Sequence, residues 1–217
     1  GFLIIRARKR EIALMRTLGA SHAAIFLDLA LEQTVCVLTG ILLGGIVFLW
    51  QPIDRLAIFG GIYDPYRDEY FSAVAGQGAT RNGHPIHVST RPVSRGIVAI
   101  GSAPYRKDTL SDTMLAMTKD LFGAFADFRR SGSAALDICH VACGRLDAFC
   151  EPVLSPWDYA AGSVILAEAG GISTNFAGDP LDLSAPSSCV FGSSISHEVA
   201  LSVCRVYANV TERVIRI

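Results

Sequence analysis

Ser155-Pro156-Trp157-Asp158-Tyr159-Ala160-Ala161-Gly162, running on to Glu168-Ala169-Gly170-Gly171, is the stretch on which the reading of this chain turns. Ser155 fits a helix N-cap, Pro156 the first helical position, where its missing N–H costs nothing, and the glycine pair the C-terminal stop. Asp158 falls three residues after the cap. There it either completes a capping box and complements the positive end of the helix, or presents a carboxylate to a metal. Spacing alone leaves both open. Capping does not account for Trp157 or for the small apolar residues behind it.

Working outward, Gly132-Ser133-Ala134-Ala135-Leu136 opens a short helix that Gly144 closes. Such a start gathers unpaired N–H groups that hold a phosphate, or is merely capped. Residues 146–150 have the pattern of a strand, with Glu151 following it. Leu110, Met114, Met117 and Leu121 recur at helical spacing and give one apolar face to a helix ending near Gly123; residues 124–130 then form a strand. Residues 56–63 and 70–75 are strand candidates, and Asn82-Gly83 marks a hairpin because both centres of a type I′ turn need positive φ. Short strands mixed with amphipathic helices make this part an α/β protein.

The 217 residues carry 19 Lys+Arg against 20 Asp+Glu, 51% hydrophobic residues and a mean hydropathy of +0.39. The 18% of charged residues is below the roughly 25% usual for soluble domains. Disorder of the bulk is excluded, and the balanced charge argues against nucleic acid as a partner, since phosphate backbones demand clustered cations. The six cysteines, Cys36, Cys139, Cys143, Cys150, Cys189 and Cys204, include no Cys-x-x-Cys pair and fit reduced usage. His84 and His87 flank the hairpin without a ligand partner and are expected at the surface.

The apolar surplus is concentrated early. No charged side chain occurs from Gln33 to Ile53, a run of about 21 residues that as a helix would match the roughly 30 Å of a bilayer core. Gly40, Gly44 and Gly45 give small-residue spacing, and Trp50 an interface anchor. Arg6, Arg8, Lys9, Arg10 and Arg16 precede it as a basic stretch. The expectation is a membrane-associated chain held through residues 24–50, with a transmembrane helix. The pattern Arg10-Glu11-Ile12-Ala13-Leu14-Met15-Arg16-Thr17-Leu18-Gly19-Ala20-Ser21, followed by Leu31-Glu32 and the apolar run, resembles the FtsX-like permease family over residues 1–50. With no initiator Met, the chain is read as an internal fragment.

The later blocks resemble the inositol monophosphatase family over residues 56–204: Ile62-Tyr63-Asp64-Pro65; Gly76-Gln77-Gly78-Ala79 with Asn82-Gly83; Gly132-Ser133-Ala134-Ala135-Leu136-Asp137; Gly144-Arg145-Leu146-Asp147-Ala148; and the opening stretch. The resemblance implies a layered α/β sugar-phosphatase fold, here incomplete, and magnesium-dependent hydrolysis of a small phosphate ester: an inositol phosphate, or else a 3′(2′),5′-bisphosphate nucleotide or sugar bisphosphate. It implies Asp158 as a Mg2+ ligand, residues Gly132, Ser133 and Ala134 as the substrate lining, Glu151 as acceptor for a substrate hydroxyl, and a homodimer. Residues 101–105 border the pocket in this reading.

That family's Glu-Glu metal motif is missing, because no Glu-Glu pair occurs in the chain. Its Asp-Pro-Ile-Asp-Gly-Thr motif has only the echo Gln51-Pro52-Ile53-Asp54-Arg55, which would leave Asp54 as a second ligand. No catalytic residue is assigned, and the expected activity is impaired or lost. The chain divides into residues 1–53, permease-like, and 54–217, phosphatase-like. Cysteine usage places the second part in the cytoplasm, in conflict with a single span after a cytoplasmic basic stretch. A catalytically inactive membrane or permease fragment, or a chimera of two incomplete parts, is the competing reading.

Overall fold

The computed structural model describes residues 46–51 and 56–215. Strands β1 (Ile46–Gln51), β2 (Leu56–Asp64), β3 (Glu69–Val74), β4 (Ala79–Arg81) and β5 (His84–Pro85) form an antiparallel sheet in chain order. Asn82 and Gly83 turn β4 into β5 with φ of 50° and 78°, as a two-residue hairpin requires. Asn82 also accepts from the Tyr70 N–H at 2.7 Å and so ties the turn to β3.

The chain then alternates: β6 (Ile97–Ile100), α1 (Lys107–Ala124), β7 (Asp127–Arg129), α2 (Ala134–Ala142), β8 (Ala148–Leu154), α3 (Pro156–Glu168), β9 (Ile172–Thr174), β10 (Ser187–Gly192), α4 (Ser194–Cys204) and α5 (Ala208–Ile215). The second sheet has the order β7-β6-β8-β10-β9. Its β6 runs parallel to β7 and β8, while β8, β10 and β9 pair antiparallel.

Both faces of this sheet are covered, and period-2 alternation distributes its residues between two cores. Ala99, Phe149, Cys189 and Phe191 face the core shared with α2, α3 and the first sheet. Their neighbours Val98, Ile100, Ala148, Cys150 and Val190 face Met117 and Leu121 of α1 and Ala200 and Cys204 of α4. The order of layers is therefore first sheet, α2 with α3, second sheet, and α1 with α4 and α5.

Two carboxylates hold the joints. Asp147, fully buried as a side chain, pairs with Arg91 at 3.0 Å and accepts the Ile97 N–H at 2.8 Å, tying the entry of β8 to that of β6. At the far end of α3, Glu168 accepts from the Gly76 and Gly78 N–H groups at 2.8 and 2.7 Å and locks the β3–β4 turn onto the helix end.

Several expectations are corrected. Among the described residues no helix is long and apolar enough to cross a membrane. The end of the uncharged run is not helical: Ile46–Gln51 is β1, paired antiparallel with β2 from Ile46↔Ile62 to Gln51↔Leu56. An uncharged run also suits a strand within a layered fold, and Ile46-Val47, β-branched and just after Gly44-Gly45, favour that outcome. The membrane-associated localisation, the membrane contact through residues 24–50 and the compartment argument built on them are therefore withdrawn. The rest of that stretch lies outside the described residues.

The strand expected over residues 124–130 shortens to Asp127–Arg129, because α1 runs on through Ala124. The strand expected to stop at Cys150 continues through Glu151 and Pro152 to Leu154. Proline is tolerated there because β6 has already ended opposite Cys150, and the pairing with β10 is irregular between Ser187 and Cys189. Cys139, Cys143, Cys150, Cys189 and Cys204 carry free thiols, and His84 and His87 are exposed.

Candidate active site

Three parallel strands end side by side, and the loops that follow them build one cavity of about 580 Å³. After β6 come residues 101–106, after β7 Arg130 to Ala134, and after β8 the turn into α3. A crevice beyond the carboxyl ends of parallel strands is where α/β sheets place ligands. Here it also receives the N-terminus of α2, whose free N–H groups and dipole favour anions, and that of α3, where Pro156 has no N–H and the Asp158 N–H is bound to the Ser155 carbonyl.

Gly132, Ser133, Ala134, Glu151 and Asp158 all line this cavity; Asp54 lies outside the described residues. Gly132 has φ of 93°, a conformation that favours glycine, and turns the chain into α2. Ser133 caps α2, its Oγ accepting from the Leu136 N–H.

Glu151 is 7% exposed and its Oε1 accepts the Ala103 N–H at 2.9 Å. Ala103 sits in the left-handed region at φ 40°, which costs a residue with a Cβ about a kilocalorie per mole. The carboxylate thus holds a strained turn at the cavity wall. Gly101 makes this possible, since a Cβ there would collide with the Glu151 carboxyl group. Burial pushes the Glu151 pKa up to about 7, and the charges of Asp158 and Asp137 push the same way.

Asp158 serves the helix it starts. Its Oδ2 accepts the Ser155 N–H at 3.2 Å, the reverse arm of a capping box, and burial raises its pKa. Trp157 beside it lines the cavity yet is 59% exposed. Behind them, the Tyr159 hydroxyl lies 2.7 Å from the carbonyl oxygens of both Asp182 and Ala185, which share its one hydrogen, anchoring the segment that leads to Pro186 at the cavity rim.

Sequence reasoning gave no role to Asp137, Arg130 or Arg106. Asp137 lines the cavity at 3% exposure, with its pKa pushed up to about 6 by burial against the Ser131 hydrogen bond and Arg130. Arg130 donates through Nε and a terminal nitrogen to Ser102 Oγ at 3.1 and 2.9 Å, joining the loops after β7 and β6. An acid at the fourth helical position, at the end of the block from Gly132 to Asp137, was the sequence signal for Asp137, and it is a weak one.

Chemically, the cavity offers N–H donors and arginines to an anion, and carboxylates to hydroxyl groups. It offers little to a resident metal: among the described residues no three His, Cys, Asp or Glu side chains are grouped to hold an ion. Magnesium requires a near-octahedral oxygen shell. Asp158, already accepting from the cap, does not supply one, so these residues alone do not fit a resident magnesium site.

Comparison with known proteins agrees with this architecture. The model of the inositol monophosphatase family matches residues 34–207, and that of the FtsX-like permease C-terminal region matches residues 2–56. Nus factor SuhB of Escherichia coli K12 is 44% identical over 117 residues, 54% of this chain and 44% of that protein. The inositol monophosphatase of Anabaena (Nostoc) sp. PCC 7120 superposes with a TM-score of 0.68 at 38% identity, over 74% of this chain and 64% of that one. A structure of SaIMPase-II with inositol monophosphate bound, from Staphylococcus, gives 0.67 at 29% identity, over 78% and 66%. The chain spans a little under half the length of the curated relatives it matches.

Proposed function

This chain belongs to the inositol monophosphatase family, and from that premise we propose that its cavity binds a small phosphate ester while the chain alone hydrolyses it slowly at best. The observation that carries the reading is the meeting of three strand ends and two helix N-termini on one cavity with both anion donors and buried carboxylates. The ester lies against the start of α2 at residues 132–134 and beside the turn into α3 at residues 155–158. Glu151 accepts a hydroxyl of the alcohol part. An inositol phosphate satisfies this pattern, and SaIMPase-II structures hold inositol monophosphate and 2′AMP; a bisphosphate nucleotide or a sugar bisphosphate is the alternative.

The family reaction, as we assign it, is magnesium-dependent phosphomonoester hydrolysis, with Asp158 and Asp54 as the carboxylates available to the ion. Among the described residues too few acidic oxygens are grouped for a two-metal site, which needs a shared bridging ligand. Titrating the whole chain with inositol monophosphate, with and without magnesium, and assaying phosphate release tests both halves. Calorimetry is expected to show binding at millimolar ligand or better. Release should stay below about 0.1 per second, a hundredth of a typical turnover of ~10 per second. Absence of binding sinks the ligand assignment; rapid release that Asp158→Asn abolishes sinks the impairment.

The division of the chain at residues 53 and 54 is a further proposal; the two family models overlap over residues 34–56, a stretch that contains it. Limited proteolysis should leave a protected fragment beginning near residue 54; protection reaching back through β1 moves the boundary to its start.

A further inference from the structure

Helix α5 is distant in sequence from the strand ends that build the cavity, yet its last turn reaches it. Ile215 lines the cavity, as do Ala103, Pro104 and Val153. Its neighbour Val214 is buried and packs with Ala103, Leu110 and Val153 in a small apolar cluster, separate from the two larger cores.

This cluster holds the strained turn. A left-handed conformation at a residue with a Cβ persists only where the surroundings over-determine it, and Ala103 is constrained from three sides. Its N–H donates to Glu151 Oε1 at 2.9 Å, and its carbonyl accepts the Arg106 N–H at 2.8 Å in the short turn that leads into α1. Its methyl group is buried in the cluster with Val214.

We propose that the last turn of α5 is part of the ligand site: Val214 is a positioning residue that seats the Ala103 turn against Glu151, and Ile215 faces the carbon skeleton of the ligand's alcohol part. The inference rests on the phosphate-ester reading of the cavity and adds to it a determinant of which alcohol is held. The bond to Ala103 engages one oxygen of the Glu151 carboxylate and so sets the plane of the group. An acceptor oriented before the ligand arrives discriminates between hydroxyl positions, whereas one free to turn loses that selectivity and some affinity. Helix α5 buries two side chains, Thr211 and Val214. The Thr211 hydroxyl donates back to the Ala208 carbonyl within the helix at 2.9 Å, and Tyr207, just before α5, donates to Asp120 of α1. Val214 is thus the buried side chain that ties the end of the helix to the cavity wall, while Val210 stays 42% exposed.

Exchange and binding measurements on the full chain test this. Hydrogen exchange at the Ala103 amide should quicken about tenfold or more in Val214→Ala, since lost packing eases the opening that frees the amide. It should stay within about twofold of the wild type in Val214→Ile, which keeps the branched contact, and in Val210→Ala, a control on the exposed face. By calorimetry, Val214→Ala and Ile215→Ala should bind inositol monophosphate about fivefold or more weakly, as loss of apolar contact to a ligand predicts. Inorganic phosphate, which lacks the alcohol, should bind both variants as it binds the wild type. Urea unfolding separates a loosened turn from a lost fold, and Val214→Thr, of the same shape, serves if Val214→Ala does not fold. Unchanged exchange at Ala103 in Val214→Ala overturns the positioning role. So does a Val210→Ala chain that quickens as much, because the effect then belongs to the helix as a whole. Unchanged affinity for inositol monophosphate, or an equal loss for inorganic phosphate, overturns the assignment to the alcohol side. A wild-type chain that binds neither probe overturns the ester reading, and quickened exchange at Ala103 in Val214→Ala alone then leaves the positioning role standing.

Discussion

Gly60→Ala is expected to destabilise the chain by at least about 3 kcal/mol, the upper end of what overpacking a core costs. Gly60 lies in β2, opposite Phe48 of β1 and Ala73 of β3, and its Cα faces α3. A Cβ there would overlap the carbonyl oxygen of Ala161, with Ile165 Cγ1 at 3.3 Å. The obstacle is helix backbone, which no rotamer change relieves. Retreat of α3 is blocked as well. On its α2 side Gly162 also packs closely, where a Cβ would lie 2.8 Å from Ile138 Cγ2. The helix is pinched between a sheet and a helix, and its N-terminus carries Asp158 into the cavity. Urea unfolding at neutral pH measures the effect. Gly123→Ala is the control, since nothing lies within 4 Å of a Cβ built there and alanine in a helix is favoured over glycine by up to about 1 kcal/mol. If Gly60→Ala unfolds at the same midpoint as the wild type, the close packing of β2 on α3 is wrong.

The same contact explains what was and was not legible in the sequence. The small residues behind Trp157 could not be assigned from helix physics because their reason lies in β2 and α2, far away in the chain. What is local was readable: Ser155, Pro156 and the glycine pair bound α3, Asn82-Gly83 makes its turn, and Leu110, Met117 and Leu121 are the buried face of α1. The candidate site was half readable. Gly132, Ser133, Ala134, Glu151 and Asp158 come together, whereas the acceptor role of Glu151 toward Ala103 spans 48 positions and has no local signature. The N-terminal misreading has a physical cause too. Lack of charge reports burial in something apolar, and neither the medium nor the period of the backbone follows from it, so the segment that forms β1 passed as part of a membrane helix.

Glu151→Gln is expected to raise stability at pH 8 relative to the wild type by an amount on the order of 3 kcal/mol, and to leave it nearly unchanged at pH 5. The carboxyl group titrates near 7 in the folded chain, against an ordinary value of 4.5. A folded pKa raised above the unfolded one means that the folded state holds the extra proton between the two values. Its stabilisation is complete below about 4.5 and is lost as pH rises through 7. Asp137, at about 6, adds a smaller loss that ends lower. His140 and His197 act in the opposite sense, because burial lowers their pKa and their folded forms resist protonation as pH falls. The wild-type profile between pH 5 and 8 is therefore a sum of opposing slopes, and the informative quantity is the difference between wild type and variant in urea midpoints at the two pH values. A difference that is equal at pH 5 and pH 8 sinks the assignment. Glutamine keeps an oxygen for the Ala103 N–H, so the variant removes the charge and little else. A chain that retains a buried carboxylate at this cost near neutral pH retains it for the cavity it lines. In our reading the return is a strong acceptor for a ligand hydroxyl, so Glu151→Gln should gain stability and lose affinity for inositol monophosphate together.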